Sequence, residues 1–301
     1  MTNRNRNQMA SELGTVGKSR TSRVVFLFIF LHLIIALPLA SSLNIWVDEA
    51  SSLNTTQNGF YAAFQNTLSD EKQAPLYFWG LSIWRYISGS VFFARLFSIL
   101  TSVIAIGLFY RIVEKIWSKN IAVFATFFFA LHPYLFWASL EIRVYSLIIM
   151  LTLLLLNLFF DGFISGESSS ISKHENLAKK LFPIAAIVSL YSNYYLGFIL
   201  VACFIVLLVL RQWKEAKTYL LQMFLVGVFF LPLLWAIKTQ LGLRNAEYFE
   251  PTNFVEGLKL LWGHLLTLTL PTEIYSPEQL STASFFRLWF VRIAFILIAG
   301  L

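Results

Sequence analysis

The feature that most constrains this chain is a series of uninterrupted apolar runs, each close to the length a helix needs to cross about 30 Å of hydrocarbon at about 1.5 Å per residue. The first, from Val24 to about Leu43, follows a polar segment, 1–23, that carries Arg4, Arg6, Lys18, Arg20 and Arg23. A secretory signal has a shorter apolar region, about 7–15 residues, so this run is read as a retained first span. Further spans are placed at 91–110, 121–139, 144–160, 181–193, 195–210, 219–238 and 284–301, eight crossings in all. The stretch 75–88, PLYFWGLSIWRYIS, includes Arg85. It reaches only about 21 Å as a helix, and its Trp and Tyr content assigns it to the membrane interface. The expected fold class is an all-α, polytopic transmembrane helical bundle with short interfacial helices in the first outer loop.

Only 13% of the residues are charged and 57% are hydrophobic, against about 25% charged in soluble domains, which excludes an ordinary cytosolic enzyme. The net charge of +7 is spread between apolar runs. It is therefore read as topology, with no nucleic-acid partner. With the N-terminus in the cytoplasm, 14 of the 23 Lys and Arg fall in inner segments, among them Arg111, Lys115, Lys119, Lys179 and Lys214. Ten of the 16 acidic residues fall outside, including Asp48, Glu49, Asp70, Glu71 and Glu141.

The organisation read from this is a cytoplasmic segment 1–23, a transmembrane catalytic module 24–238 with an outer loop 44–90, a second outer loop 239–283, and a final span 284–301. No tail follows that span, so the chain reads as incomplete. Residues 166–180, GESSSISKHENLAKK, read as a flexible inner linker, and the YSNYY break (Tyr191–Tyr195) as a tight outer turn. The single cysteine, Cys203, lies in an apolar run, and the four histidines have no zinc spacing.

Three places concentrate polar chemistry at the outer membrane face. In NIWVDEA, Asp48 follows the first span directly; it is either a general base or a helix cap with Glu49 in the first turn. In EIRVY, Arg143 is either a functional cation or the partner of Glu141. In VFFARLFSIL, Arg95 either snorkels to the surface or binds a ligand. Asp48, Arg95 and Arg143 come from separate parts of the chain and reach one membrane face. Such a grouping suits a reaction whose leaving group is a lipid-borne phosphate: guanidiniums neutralise the phosphate while a carboxylate takes the acceptor's proton.

The ordered series WVDEASS, APLYFW, ARLFSIL and LHPYLFWASLEIRVYSL, between about Leu43 and Tyr195, resembles the polyprenyl-phosphate-sugar-dependent membrane glycosyltransferases related to protein O-mannosyltransferases and lipid A aminoarabinose transferases. The resemblance implies a C-type glycosyltransferase fold with its site in the first outer loop. It implies Asp48 as catalytic base and Glu49 as a supporting acceptor or metal ligand. Arg95 and Arg143 would bind the donor phosphate with Tyr145 beside them, and Tyr194 and Tyr195 would form an aromatic pair near the donor. Where relatives carry a basic residue and two prolines, this chain has Gln73, Ala74 and Pro75, so Lys72 is the substitute phosphate contact. A divalent cation, magnesium or manganese, would sit on Asp48 and Glu49 with the donor phosphate.

The expected activity is transfer of a sugar from a polyprenyl-phosphate donor to a lipid, glycan or protein acceptor at the extracytoplasmic face of the cell membrane, with inversion. The rivals are a transporter or flippase using the same arginines for recognition, and a non-catalytic donor-binding relative.

Overall fold

The computed structural model describes residues 3–71, 73–164, 173–242 and 255–258, with side chains from Arg23 onward. The chain divides into two compact units, Met1–Arg244 and Asn245–Leu301; of the second, only one helical turn, 255–258, is described. The final span 284–301, nearly all of the second outer loop, and Lys72 lie outside the described residues.

The first unit is all helical among the described residues. In order, it contains α1 (Asn3–Ser42), α2 (Val47–Thr55), α3 (Gly59–Asn66), a π-helical turn (Thr67–Glu71), α4 (Leu76–Arg85), α5 (Val91–Ile116), α6 (Lys119–Ala130) and α7 (Pro133–Leu140). There follow α8 (Tyr145–Phe159), a second π turn (Phe160–Ile164), α9 (Lys173–Ser192), a 3-10 turn (Tyr194–Leu196), α10 (Gly197–Val209) and α11 (Trp213–Gly242). Four segments are long and apolar enough to cross a membrane: Arg23–Ser42, Val91–Ile116, Tyr145–Ile164 and Trp213–Gln240. The pair α6 and α7, bent by 53°, makes a fifth if counted as one broken span.

Seven of the eight expected crossings fall within the described residues, where four or five segments are long and apolar enough to cross; the eighth, 284–301, lies outside them. The run at 181–193 belongs to α9, which opens on polar KHENLAKK, so its apolar part starts only at Leu181. The run at 195–210 becomes the 13-residue α10, about 20 Å long, short of the hydrocarbon thickness. The inner linker is also shorter than expected, since residues 173–180 are helical and Lys179 pairs with both Glu175 and Glu215. The stretch 75–88 forms no span; its helix α4 buries one face, while Ile83, Tyr86 and Ile87 are exposed. Tyr77, Phe78 and Leu81 of α4 are buried against α5 and the segment before α8.

The α5 helix is the hub, packing against α1, α4, α6, α7 and α8. Its buried stripe of Ala94, Ser98, Thr101, Ser102 and Ala105 recurs every three or four residues. Small residues at that spacing let backbones approach closely where lipid provides no hydrophobic drive between helices. Polar ties then register the helices: Thr101 Oγ1 donates to Ser146 Oγ of α8 at 2.8 Å, and Asn157 Nδ2 donates to the Leu108 carbonyl at 3.0 Å. A second core, built from Phe159, Phe163, Phe182 and Tyr219, joins α8, α9 and α11. Large apolar side chains such as Phe26, Phe30, Leu221 and Phe224 remain exposed on α1 and α11, the surface expected of helices that face lipid.

The break between α6 and α7 follows from Pro133, which lacks an N–H and would clash with the preceding turn. It instead occupies the first position of a new helix, which His132 caps by accepting from Tyr134 N at 3.1 Å. The charged groups fall at the two ends of the bundle. Arg111 and Lys115 near the end of α5 pair with Asp161, while Arg95, near its start, belongs to the opposite end together with Asp48 and Arg143.

Candidate active site

At that second end, Arg95 and Glu49 form a buried pair. Arg95 is 2% exposed, and all five of its N–H donors are used. Nε and Nη2 grip the two oxygens of Glu49 at 3.0 and 2.7 Å, Nη1 donates to the carbonyls of Ala40 and Leu43, both at 2.9 Å, and Nη2 also reaches the Asn44 carbonyl at 3.0 Å. The last carbonyls of α1 need such partners, because no further turn of helix accepts them. Glu49 also takes N–H bonds from Trp46 at 3.4 Å and Ile142 at 3.2 Å. One ion pair thus fixes the end of α1, the start of α2 and the segment before α8. In this geometry Arg95 has no donor left for a phosphate and Glu49 no oxygen left for a metal, so both act as anchors of the loop.

Asp48 is placed differently. It stands in the first turn of α2, one residue past Val47, so Trp46 and not Asp48 occupies the cap position. Its side chain is 42% exposed, and one oxygen lies 3.2 Å from Arg143 Nη2. The other oxygen has no protein partner among the described residues. Arg143 does not pair with Glu141, the alternative that the sequence left open. Its Nη1 donates to Glu71 Oε2 at 2.7 Å and to Ser52 Oγ at 3.3 Å. Burial works against the Arg143 charge, but the hydrogen bond to Glu71 and the charges of Glu71 and Asp48 outweigh it and hold its pKa above the ordinary value. Glu141 instead accepts from Trp46 Nε1 at 2.6 Å, and burial pushes its carboxyl pKa up. Its backbone carbonyl receives Ser98 Oγ at 2.6 Å, so α5 also pins the segment that carries Arg143.

Glu71 is the residue that sequence reasoning counted only as an outer charge. It ends the π-helical turn, its side chain is 3% exposed, and Oε1 accepts from Ser51 Oγ at 2.8 Å and Thr55 Oγ1 at 3.1 Å. Two hydroxyls at i and i+4 on α2 mark the face that receives it. That pattern could have found it, had the acid been known to fold back on α2. Tyr145 stacks on Trp137 with centroids 4.7 Å apart, and Tyr134 continues the row at 5.3 Å, leaving an aromatic wall beside Arg143.

The proposed aromatic pair splits. Tyr194 Oη donates to Gln240 Oε1 at 3.3 Å, and Gln240 Nε2 donates to the Gln73 carbonyl at 2.9 Å, tying the 3-10 turn and α11 to the first loop. Tyr195 is 72% exposed and, among the described residues, stacks on Phe198.

Among the described residues no group of three His, Cys, Asp or Glu is disposed to hold a metal ion, and Asp48 and Glu49 do not form a joint ligand set because Arg95 occupies Glu49. The arrangement can orient one exposed carboxylate through Arg143 and offer aromatic faces beside it. In comparisons with known proteins, no family model matches the chain, and no curated protein or solved structure matches it.

Proposed function

We propose that this chain is an integral membrane glycosyltransferase that moves a sugar from a polyprenyl phosphate to an acceptor at the extracytoplasmic face. The observation that carries the reading is the convergence of Asp48, Glu71 and Arg143, from three separate segments, on one end of a helical bundle, where both Glu71 oxygens are bonded and one oxygen of the half-exposed Asp48 has no partner among the described residues. Asp48 removes the proton from the acceptor hydroxyl or amine. The acceptor atom bonds to the anomeric carbon as the carbon–oxygen bond to phosphate breaks, and polyprenyl phosphate leaves on the opposite face, giving inversion. Arg143 aims Asp48, and Glu71 fixes Arg143. The row of Tyr134, Trp137 and Tyr145 supplies faces for a sugar ring. No step is routed through a metal.

The test is release of polyprenyl phosphate from radiolabelled polyprenyl-phosphate sugars by the parent and by Asp48→Asn. Release by the parent, with a fall of about a hundredfold or more in the variant, supports the reading. Equal rates move the base elsewhere. Donor binding without release by either selects the carrier or the non-catalytic relative.

A further inference from the structure

Arg95 and Arg143 are both neutralised by carboxylates, which leaves a third arginine at this end of the bundle. Arg85, in the last turn of α4, makes no ion pair among the described residues. Its Nη1 donates to the Leu53 carbonyl and to Thr56 Oγ1, both at 2.6 Å, while Nε and Nη2 have no hydrogen-bond partner among the described residues. Burial without a carboxylate beside it holds its pKa below the ordinary value.

Arg85 lines a cleft of about 110 Å³ together with Thr56, Gln57, Gly59, Ser82, Tyr86 and Gly89. That volume is several times the minimum of about 10–15 Å³ that admits one water. Ser82 is only 3% exposed, and its hydroxyl is also unpartnered. Unmade hydrogen bonds at buried donors cost about 1–3 kcal/mol each, and both of these donors belong to residues that line the one cleft. Gly59, which also lines the cleft, has a φ of +85° that strains any other residue, and a Cβ there would meet Tyr86 Oη at 2.9 Å.

The cleft adjoins the Asp48 site. Arg143 bonds Ser52 Oγ and Arg85 bonds Thr56 Oγ1, and these two hydroxyls sit four residues apart on one face of α2. One turn, about 5.4 Å of rise, separates the two anchor points, a distance comparable to one sugar ring.

We propose that this cleft is a phosphate-binding subsite in which Arg85 and Ser82 hold the phosphate of the lipid-linked donor. The identity of the phosphate's carrier rests on the transferase reading, whereas the subsite itself rests on the cleft. Arg85 also caps α2, so replacing it mixes binding with folding. Two other positions avoid this. Ser82→Ala removes a hydroxyl that has no hydrogen-bond partner among the described residues. Gly89, on the cleft rim with open space around a would-be Cβ, accepts Asp as an added negative charge and Asn as the neutral control.

Equilibrium binding of radiolabelled polyprenyl phosphate to the full chain in detergent should weaken about tenfold in Gly89→Asp and severalfold in Ser82→Ala, with Gly89→Asn unchanged. Inorganic phosphate should compete and phosphatidylglycerol should not. Equal affinity in all four proteins overturns the subsite. Displacement by phosphatidylglycerol as readily as by phosphate makes it a lipid-headgroup site and overturns the donor assignment. A parent that shows no turnover while Gly89→Asp still weakens phosphate binding overturns the transferase reading and leaves the subsite standing.

Discussion

Replacing Glu49 by Gln removes one charge from a pair that has almost no contact with solvent. The side chains of Arg95 and Glu49 are 2% and 3% exposed, so Arg95 would be left as a buried cation facing only carbonyl dipoles and an amide. Removing one partner of such a pair costs about 3–5 kcal/mol, because the surviving charge is no longer compensated. The loss is compounded by geometry, since Glu49 also receives the N–H groups of Trp46 and Ile142. At about 2–4 °C per kcal/mol for a chain of this size, the midpoint of thermal unfolding in detergent should fall by roughly 6–20 °C. Asp48→Asn is the internal control. Asp48 is 42% exposed with one contact at 3.2 Å, so its removal should cost at most about 1 kcal/mol. The two neighbours should therefore dissociate, Glu49→Gln acting on stability and Asp48→Asn on turnover. Midpoints for the two variants within a degree or two of each other would refute the assignment of Glu49 as the anchor.

Three further outcomes are expected. Glu71→Gln takes a buried charge from Arg143 and should lower both stability, by about 3 kcal/mol, and turnover; a stable, fully active variant contradicts its positioning role. Glu141 has a raised folded-state pKa because of burial, so its contribution to stability is present below the ordinary glutamate range and is lost as pH rises through the raised value. Glu141→Gln should accordingly stabilise the chain at neutral pH with no gain in acid, and unfolding midpoints across pH 4 to 8 check the sign. Thr101→Val breaks the bond to Ser146 between α5 and α8 and should cost about 0.6 kcal/mol, the average for interhelical hydrogen bonds in membranes; a loss above about 2 kcal/mol would mean that packing, not the hydrogen bond, is disturbed.

Much of the plan is legible in one dimension. The runs at Val24, Val91 and Tyr145 announce helices because their length and apolarity alone satisfy the hydrocarbon, whereas 121–139 reads as one span although Pro133 divides it into α6 and α7, since proline cannot continue a helix. The runs at 181–193 and 195–210 show the limit of that reading: both leave apolar side chains such as Ile184 and Phe198 exposed, yet α9 opens on polar residues and α10 has only 13 residues, short of the length that crosses the hydrocarbon.

Charge pairing was hidden for a different reason. Arg95, Arg143 and Arg85 are indistinguishable as arginines beside apolar helices. Which of them meets a carboxylate depends on contacts spanning 46 positions for Glu49 and 72 for Glu71. The sequence by itself determined a helical chain with runs long and apolar enough to cross a membrane and with acids and arginines gathered near the same helix ends, because hydrophobic run length and residue type act locally. Only the tertiary structure decided that Glu49 neutralises Arg95, that Glu71 and Asp48 share Arg143, and that Arg85 is left facing an open cleft. Electrostatic partnership is a property of distance in space, and α5 sets those distances by holding the loop through Arg95 and Ser98.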